Sequence, residues 1–156
     1  MSQTVKCLVM DVDGTLTDGQ IYMGCGGELI KSFNIKDGYG IKNILPLYNI
    51  IPVIITGRKS EILSLRAQEL NISEVYQGIT GKKPTLCEVM RRLNLSPDEV
   101  AYIGDDLNDL DCMMICGVKG CPADSHMEIK NAADYICSLP GGRGCVREFI
   151  EYVINL

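Results

Sequence analysis

The chain has one histidine, His126, in 156 residues. A histidine-rich metal site is therefore excluded. There is also no Gly-x-Ser-x-Gly nucleophile elbow, and its absence removes a serine-hydrolase reading. No pair of cysteines forms Cys-x-x-Cys. No apolar run approaches the ~20 residues of a membrane-spanning helix, and nothing near Lys6 has the long apolar stretch and cleavage site of a secretory leader. Basic runs are missing too. With 20 acidic and 15 basic residues, net charge −5, the composition argues against nucleic acid or an anionic membrane as partner. Internal repeats and low-complexity segments are absent. The length of 156 residues predicts a single domain over residues 1–156, and a cysteine spread read as reduced thiols predicts a cytoplasmic protein.

The 46% apolar content is enough for an ordinary buried core and excludes disorder. The eight cysteines, Cys7, Cys25, Cys87, Cys112, Cys116, Cys121, Cys137 and Cys145, read as reduced and mostly buried thiols. Cys112 and Cys116 lie four apart on a predicted helix with Cys121 beyond. That spacing admits a zinc cluster, but core packing is the simpler reading. Strand-like and helix-like segments alternate: strand 5–12, a hairpin within 20–34 turning at Gly24-Cys25-Gly26-Gly27, helix 38–48, strand 51–56, helix 60–70, strand 74–76, helix 82–94, strand 99–104, helix 107–116, strand 117–121, helix 126–131, strand 134–137 and helix 144–155. This alternation predicts an α/β fold with a doubly wound, mostly parallel sheet.

The chemistry gathers at the predicted strand exits. The apolar run Val5 to Val12 ends in Asp11-Val12-Asp13-Gly14-Thr15, two carboxylates side by side before a sharp turn. Crowded carboxylates repel unless a cation lies between them, and Mg²⁺ is the hard, oxygen-seeking choice. Thr56 follows the strand Ile51–Ile55. Gly104-Asp105-Asp106-Leu107-Asn108-Asp109 follows the strand Val100–Ile103. Lys82 and Lys83 supply cations. Ligands of open α/β sheets bind at the carboxyl ends of the strands, so these residues can meet in one cleft. Phosphoryl transfer asks mainly for positioning and charge neutralisation, which this inventory offers. A response-regulator receiver uses similar groups, but its phosphoacceptor lies on a later strand.

The order Asp-x-Asp-Gly-Thr, Thr, Lys, Gly-Asp-Asp-x-x-Asp resembles the haloacid dehalogenase superfamily of phosphatases. Phe33-Asn34-Ile35-Lys36-Asp37-Gly38-Tyr39-Gly40, Ile55-Thr56-Gly57-Arg58-Lys59, Tyr76-Gln77-Gly78, Ala123-Asp124-Ser125-His126 and Gly141-Gly142-Arg143-Gly144-Cys145-Val146-Arg147 extend the likeness over almost the whole chain. They point to the 3-deoxy-D-manno-octulosonate 8-phosphate (KDO 8-phosphate) phosphatase branch. Nine-carbon ulosonate phosphatases and the phosphatase-like, non-catalytic tails of some acylneuraminate cytidylyltransferases are neighbours. Lys36, where that branch usually has arginine, and the lack of a proline after His126 are departures that leave the ulosonate open.

The resemblance implies a Rossmann-like core and a set of roles. Asp11 is the nucleophile, forming an aspartyl phosphate, and Asp13 is the acid and then the base. Thr56 holds phosphoryl oxygens. Family spacing from Gln77-Gly78 selects Lys82, over Lys83, as the neutralising cation. Asp11, Asp13 (through its backbone carbonyl) and Asp105 bind Mg²⁺, with Asp106 and Asp109 behind them. Gly57, Arg58, Arg66 and Arg143 read the substrate, a phosphorylated sugar acid; His126 is structural. Only 42 residues separate Asp13 from Thr56 and 25 separate Thr56 from Lys82. Neither gap holds a cap domain, so the chain resembles the capless subclass. Such relatives are homotetramers in which the hairpin flap and a neighbouring subunit, through the Gly141–Arg147 segment, close the site.

Overall fold

The computed structural model describes residues 5–156. Six strands form a wholly parallel sheet: β1 (Cys7–Met10), β4 (Ile51–Ile55), β5 (Glu74–Tyr76), β6 (Val100–Ile103), β7 (Val118–Cys121) and β8 (Tyr135–Ile136), in the order β5-β4-β1-β6-β7-β8. The hairpin β2 (Tyr22–Gly24) and β3 (Gly27–Ile30) stands apart as a two-stranded unit. Strand order reverses at β1, which pairs Cys7 with Ile51 on one side and with Val100 on the other. That reversal is the switch point where open α/β sheets bind ligands.

Side chains of β1 alternate between two cores, as the period of two in a strand requires. Leu8 and Met10 face a layer made by α2 (Glu61–Glu69), α6 (Cys145–Val153) and the segment 35–48. Cys7 and Val9 face α3 (Lys82–Leu93), α4 (Leu107–Met113) and α5 (Met127–Ala132). The helix expected at 38–48 is composite: α1 (Ile35–Tyr39), one wide π-type turn over Gly40–Ile44, then a 3₁₀ turn over Leu45–Tyr48. Pro46 has no N–H to extend the α-helical ladder, and Asn49 closes the segment in left-handed backbone, φ 56°. Helix α4 also stops at Met113, so Cys116 lies beyond it. Six of the eight cysteines are buried and all eight are free. Burial pushes the Cys7 thiol up to about 12. Among the described residues no zinc-like cysteine cluster forms, and no helix is long and apolar enough to cross a membrane.

The start of α6 is anchored from far away in sequence. Asp37, 1% exposed, accepts a hydrogen bond from the Arg147 backbone N–H at 2.8 Å. Just upstream, the Gly142 N–H donates to Thr15 O at 3.0 Å, seating the glycine segment on the loop that carries Asp11 and Asp13. A Cβ on Gly141 would lie 1.9 Å from Gly14 O, so only glycine allows that approach. Burial pushes Asp37 from 3.8 up to about 6, against the opposing pull of the backbone N–H groups of Arg147, Gly144 and Val146 and the Arg66 charge. The folded chain therefore holds this proton more tightly than the unfolded one. The corresponding stability is complete below about pH 4 and is lost as pH rises through about 6. Asp37→Asn keeps the acceptor without the charge. In urea titrations across this range the variant's midpoint is expected to match wild type near pH 4 and exceed it by pH 7; a pH-independent difference would refute the assignment.

Candidate active site

Asp11, Asp13, Thr56, Gly57, Arg58, Asp105, Asp106 and Asn108 line one cleft of about 170 Å³ at the carboxyl edge of the sheet. They arrive from three strand exits. Asp11 leaves β1, its N–H bonded to Ile103 O at 3.0 Å. Thr56 leaves β4, its N–H bonded to Tyr76 O at 2.9 Å. Asp105 and Asp106 leave β6, where Asp106 caps α4 in a capping box with Asp109. Gly14 turns the first loop at φ +91°, and a Cβ there would lie 2.1 Å from Asp105 Oδ2. The Thr15 hydroxyl donates to Asp105 Oδ1 at 3.0 Å, tying the first and third strand exits together.

Beneath the cleft lies a buried ionic cluster. Lys82 Nζ donates to Asp11 Oδ1 at 2.8 Å and to Asp109 Oδ1 at 2.7 Å. The Tyr102 hydroxyl also donates to Asp109 Oδ1, at 2.7 Å. Asp109 Oδ2 accepts the N–H groups of Asp105 and Asp106 at 3.0 and 3.3 Å. Asp109 is thus fully occupied in orienting Lys82 and the Gly104–Asp106 loop. Lys82 is 4% exposed, whereas Lys83 is on the surface.

Electrostatics explain why the cluster suits a cation. Carboxylate oxygens of Asp11, Asp105 and Asp109 lie within 4.8 Å of one another, with one lysine among them. Burial raises Asp11 well above the usual carboxylate range; repulsion from Asp109 adds to this and Lys82 opposes it. Burial also pushes Asp105 up to about 6, against a hydrogen bond with Asp11 and with repulsion from Asp109 adding to the rise. For Lys82, burial works against the charge, but Asp11 and Asp109 outweigh it and raise its pKa. Two adjacent buried carboxyls whose ionised forms are disfavoured, with a single ammonium shared among three carboxylates, form a hard oxygen set that a divalent cation such as Mg²⁺ would stabilise. Because Asp109 is saturated with donors, Asp11 and Asp105 are the side chains of this set left to face an ion.

The substrate-reading candidates divide. Gly57 and Arg58 are in the cleft, with Arg58 Nε 4.0 Å from Asp13 Oδ2. Arg66 is elsewhere in its own chain: it pairs with Glu69 at 2.8 Å and lies over the Phe33 ring. Its helix position abuts the buried Leu63 and Ala67, which turns it towards Gly38 and away from the strand exits. Arg143 is exposed, 3.9 Å from Asp18. His126 caps α5 through Nδ1, and its N–H donates to Asp105 O at 2.9 Å. Tyr102, Glu28 and Lys31 have places at the site that the motifs do not reveal. Tyr102 has the one available signal, a tyrosine in an apolar strand whose hydroxyl must find a partner when buried.

The model of the haloacid dehalogenase-like hydrolases matches residues 54–146. The 3-deoxy-D-manno-octulosonate 8-phosphate phosphatase of Salmonella typhi is 41% identical over 153 residues, 98% of this chain and 81% of that protein. The cobalt-bound phosphatase of the same description from Haemophilus influenzae superposes with a TM-score of 0.94 at 37% identity, covering 98% of this chain and 89% of its own. The Moraxella catarrhalis phosphatase, in complex with magnesium, phosphate and KDO, superposes with a TM-score of 0.93 at 37% identity, covering 98% and 87%.

Proposed function

We infer from this kinship that the chain, which belongs to the haloacid dehalogenase-like hydrolases and within them to the KDO 8-phosphate phosphatase branch, is a Mg²⁺-dependent phosphomonoesterase that hydrolyses KDO 8-phosphate to KDO and phosphate. The observation that carries this is the buried Asp11–Lys82–Asp109 cluster opening into a cleft lined by Asp13, Thr56 and Asp105.

In this reading the Asp11 carboxylate attacks phosphorus and becomes an aspartyl phosphate as the bond to the sugar oxygen breaks. Asp13 gives that oxygen its proton, then takes one from the water that cleaves the acyl phosphate. Thr56, at the exit of β4, holds phosphoryl oxygens, and Lys82 offsets their charge. Asp11, Asp105 and the Asp13 carbonyl would hold Mg²⁺, which when bound would supply positive charge to offset that of the nucleophile and the phosphoryl group. Asp106 and Asp109 order that shell. The Arg58 guanidinium at the cleft mouth, beside Gly57, suits the carboxylate of a sugar acid. The chain works as one domain over residues 1–156, in the cytoplasm, within a homotetramer. There the exposed Arg143 serves a neighbouring protomer's cleft.

Phosphate release should be followed from KDO 8-phosphate and from the 9-phosphates of KDN and N-acetylneuraminate, with Mg²⁺ and with chelator. Metal-dependent turnover that favours the eight-carbon substrate is expected. Preference for a nine-carbon substrate would keep the chemistry and overturn the substrate.

A further inference from the structure

Lys31 belongs to none of the four motifs, yet its side chain is 4% exposed and its Nζ lies 2.5 Å from Asp13 Oδ1. It directly follows β3 and so belongs to the hairpin. The same ammonium is 3.1 Å from Glu28 Oε1. The other oxygen of Glu28 accepts the Ser60 hydroxyl at 2.5 Å, and Ser60 is the N-cap of α2. Arg58 approaches the same pair from the cleft side, 3.8 Å from Glu28 Oε1 and 4.0 Å from Asp13 Oδ2.

The hairpin itself is mostly outward-facing; Tyr22, Met23, Leu29 and Ile30 are exposed. A lone two-stranded ribbon is marginal in water, so its attachment through Glu28 and Lys31 matters. Taking an ammonium out of water is costly unless it is well paired, and here the partner is the carboxylate assigned to proton transfer. The contact engages Oδ1 from the hairpin side. It leaves Oδ2 as the oxygen on the side of Arg58, which lines the cleft. A carboxylate on a turn has a broad terminal torsion, and the Lys31 contact selects one setting of it.

We propose that Lys31 is a positioning residue for the phosphoryl transfer: its ammonium holds the Asp13 carboxyl with Oδ2 presented to the leaving oxygen, and Glu28 holds Lys31. The inference rests on the reading of Asp13 as the acid. In the first half-reaction the bond from an Asp11 oxygen to phosphorus forms, the bond from phosphorus to the sugar oxygen breaks, and that oxygen takes the Asp13 proton. A sugar alkoxide needs the proton; a 4-nitrophenolate leaves without it. Losing the orientation of Asp13 should therefore slow the two leaving groups unequally.

The test is single-turnover release, with enzyme in excess and Mg²⁺ present, of KDO from KDO 8-phosphate and of nitrophenolate from 4-nitrophenyl phosphate. Wild type, Lys31→Met, Lys31→Arg, Glu28→Gln and Asp13→Asn are compared. Lys31→Met is expected to slow sugar release by about 10²-fold, within the range of general acid catalysis, and nitrophenolate release by no more than about 3-fold. Lys31→Arg should recover part of the loss. Glu28→Gln, which leaves Lys31 in place, should show the same selectivity with a smaller loss. Equal slowing of both leaving groups, or of neither, in Lys31→Met overturns the inference. If Asp13→Asn shows the selective loss and Lys31→Met does not, the role of Lys31 falls and that of Asp13 stands. If Asp13→Asn is itself unselective, the reading of Asp13 as acid falls and the inference falls with it.

Discussion

Asp11→Asn is expected to reduce turnover by on the order of 10⁴-fold or more, the scale on which loss of a covalent nucleophile acts, without weakening the fold. An amide oxygen is a poor nucleophile, and no other carboxylate takes its place: Asp105 is held by Thr15 at 3.0 Å and Asp109 by Lys82 and Tyr102. The stability half of the expectation comes from electrostatics. Burial and the neighbouring Asp109 hold the Asp11 carboxyl well above the ordinary carboxylate range, so its ionised form is a strain on the metal-free protein at neutral pH. Asparagine removes that charge and leaves Lys82 paired with Asp109 at 2.7 Å. Thermal melts in chelator should give the variant a Tm equal to or above wild type. Melts in Mg²⁺ should show a smaller metal-induced rise, since one carboxylate ligand is gone. Residual turnover near wild type would remove Asp11 from the nucleophile's role.

Lys82→Met should damage both activity and stability. Among the described residues its ammonium is the single side-chain cation within hydrogen-bond reach of Asp11 and Asp109, whose side chains are 7% and 0% exposed. Removing one partner of a buried ion cluster leaves charge without compensation, at a cost of about 3–5 kcal/mol. In a chain of this size that is a fall in Tm of about 10 °C. The loss should be largest in chelator and partly reversed by Mg²⁺, which supplies positive charge beside Asp11. The double variant Lys82→Met with Asp109→Asn separates the causes. It should regain part of the stability, because one of the two orphaned carboxylate charges, that of Asp109, is gone. It should stay inactive, because nothing then offsets the phosphoryl charge. If the double variant is no more stable than the single one, packing of the lysine stem, and not its charge, is what the fold needs.

The two expectations rest on contacts of different range, and the same division separates what the sequence shows from what it hides. Asp11, Asp13, Thr56, Asp105 and Asp106 stand at the exits of short apolar strands. Strand exits of a parallel sheet converge on one edge whatever the details of packing, so their meeting follows from local pattern. The capping box of Asp106 and Asp109 is also local, set by positions three apart at a helix start. Asn49 and Pro46 shaped the irregular 35–48 segment locally as well, but a periodicity reading smooths over that irregularity.

The rest depended on contacts between residues distant in sequence. Lys82 was separable from Lys83 by sequence only through family spacing; the fold separates them by rotating one side chain of α3 into the cluster and the other into solvent. Arg66, read in sequence as a substrate contact, is carried by α2 to Phe33 and Glu69 because its neighbours Leu63 and Ala67 set which face of the helix is buried. Asp37 meets the start of α6 across 110 positions, and Lys31 meets Asp13 across a hairpin whose sequence shows only a turn. What the chain determined by itself was the chemistry at each strand exit, because that is written in residue type and short-range spacing. Which charges face one another in the buried cluster, and how the hairpin grips Asp13, was decided by tertiary packing, because a buried ion pair exists only once the fold has excluded water from both partners.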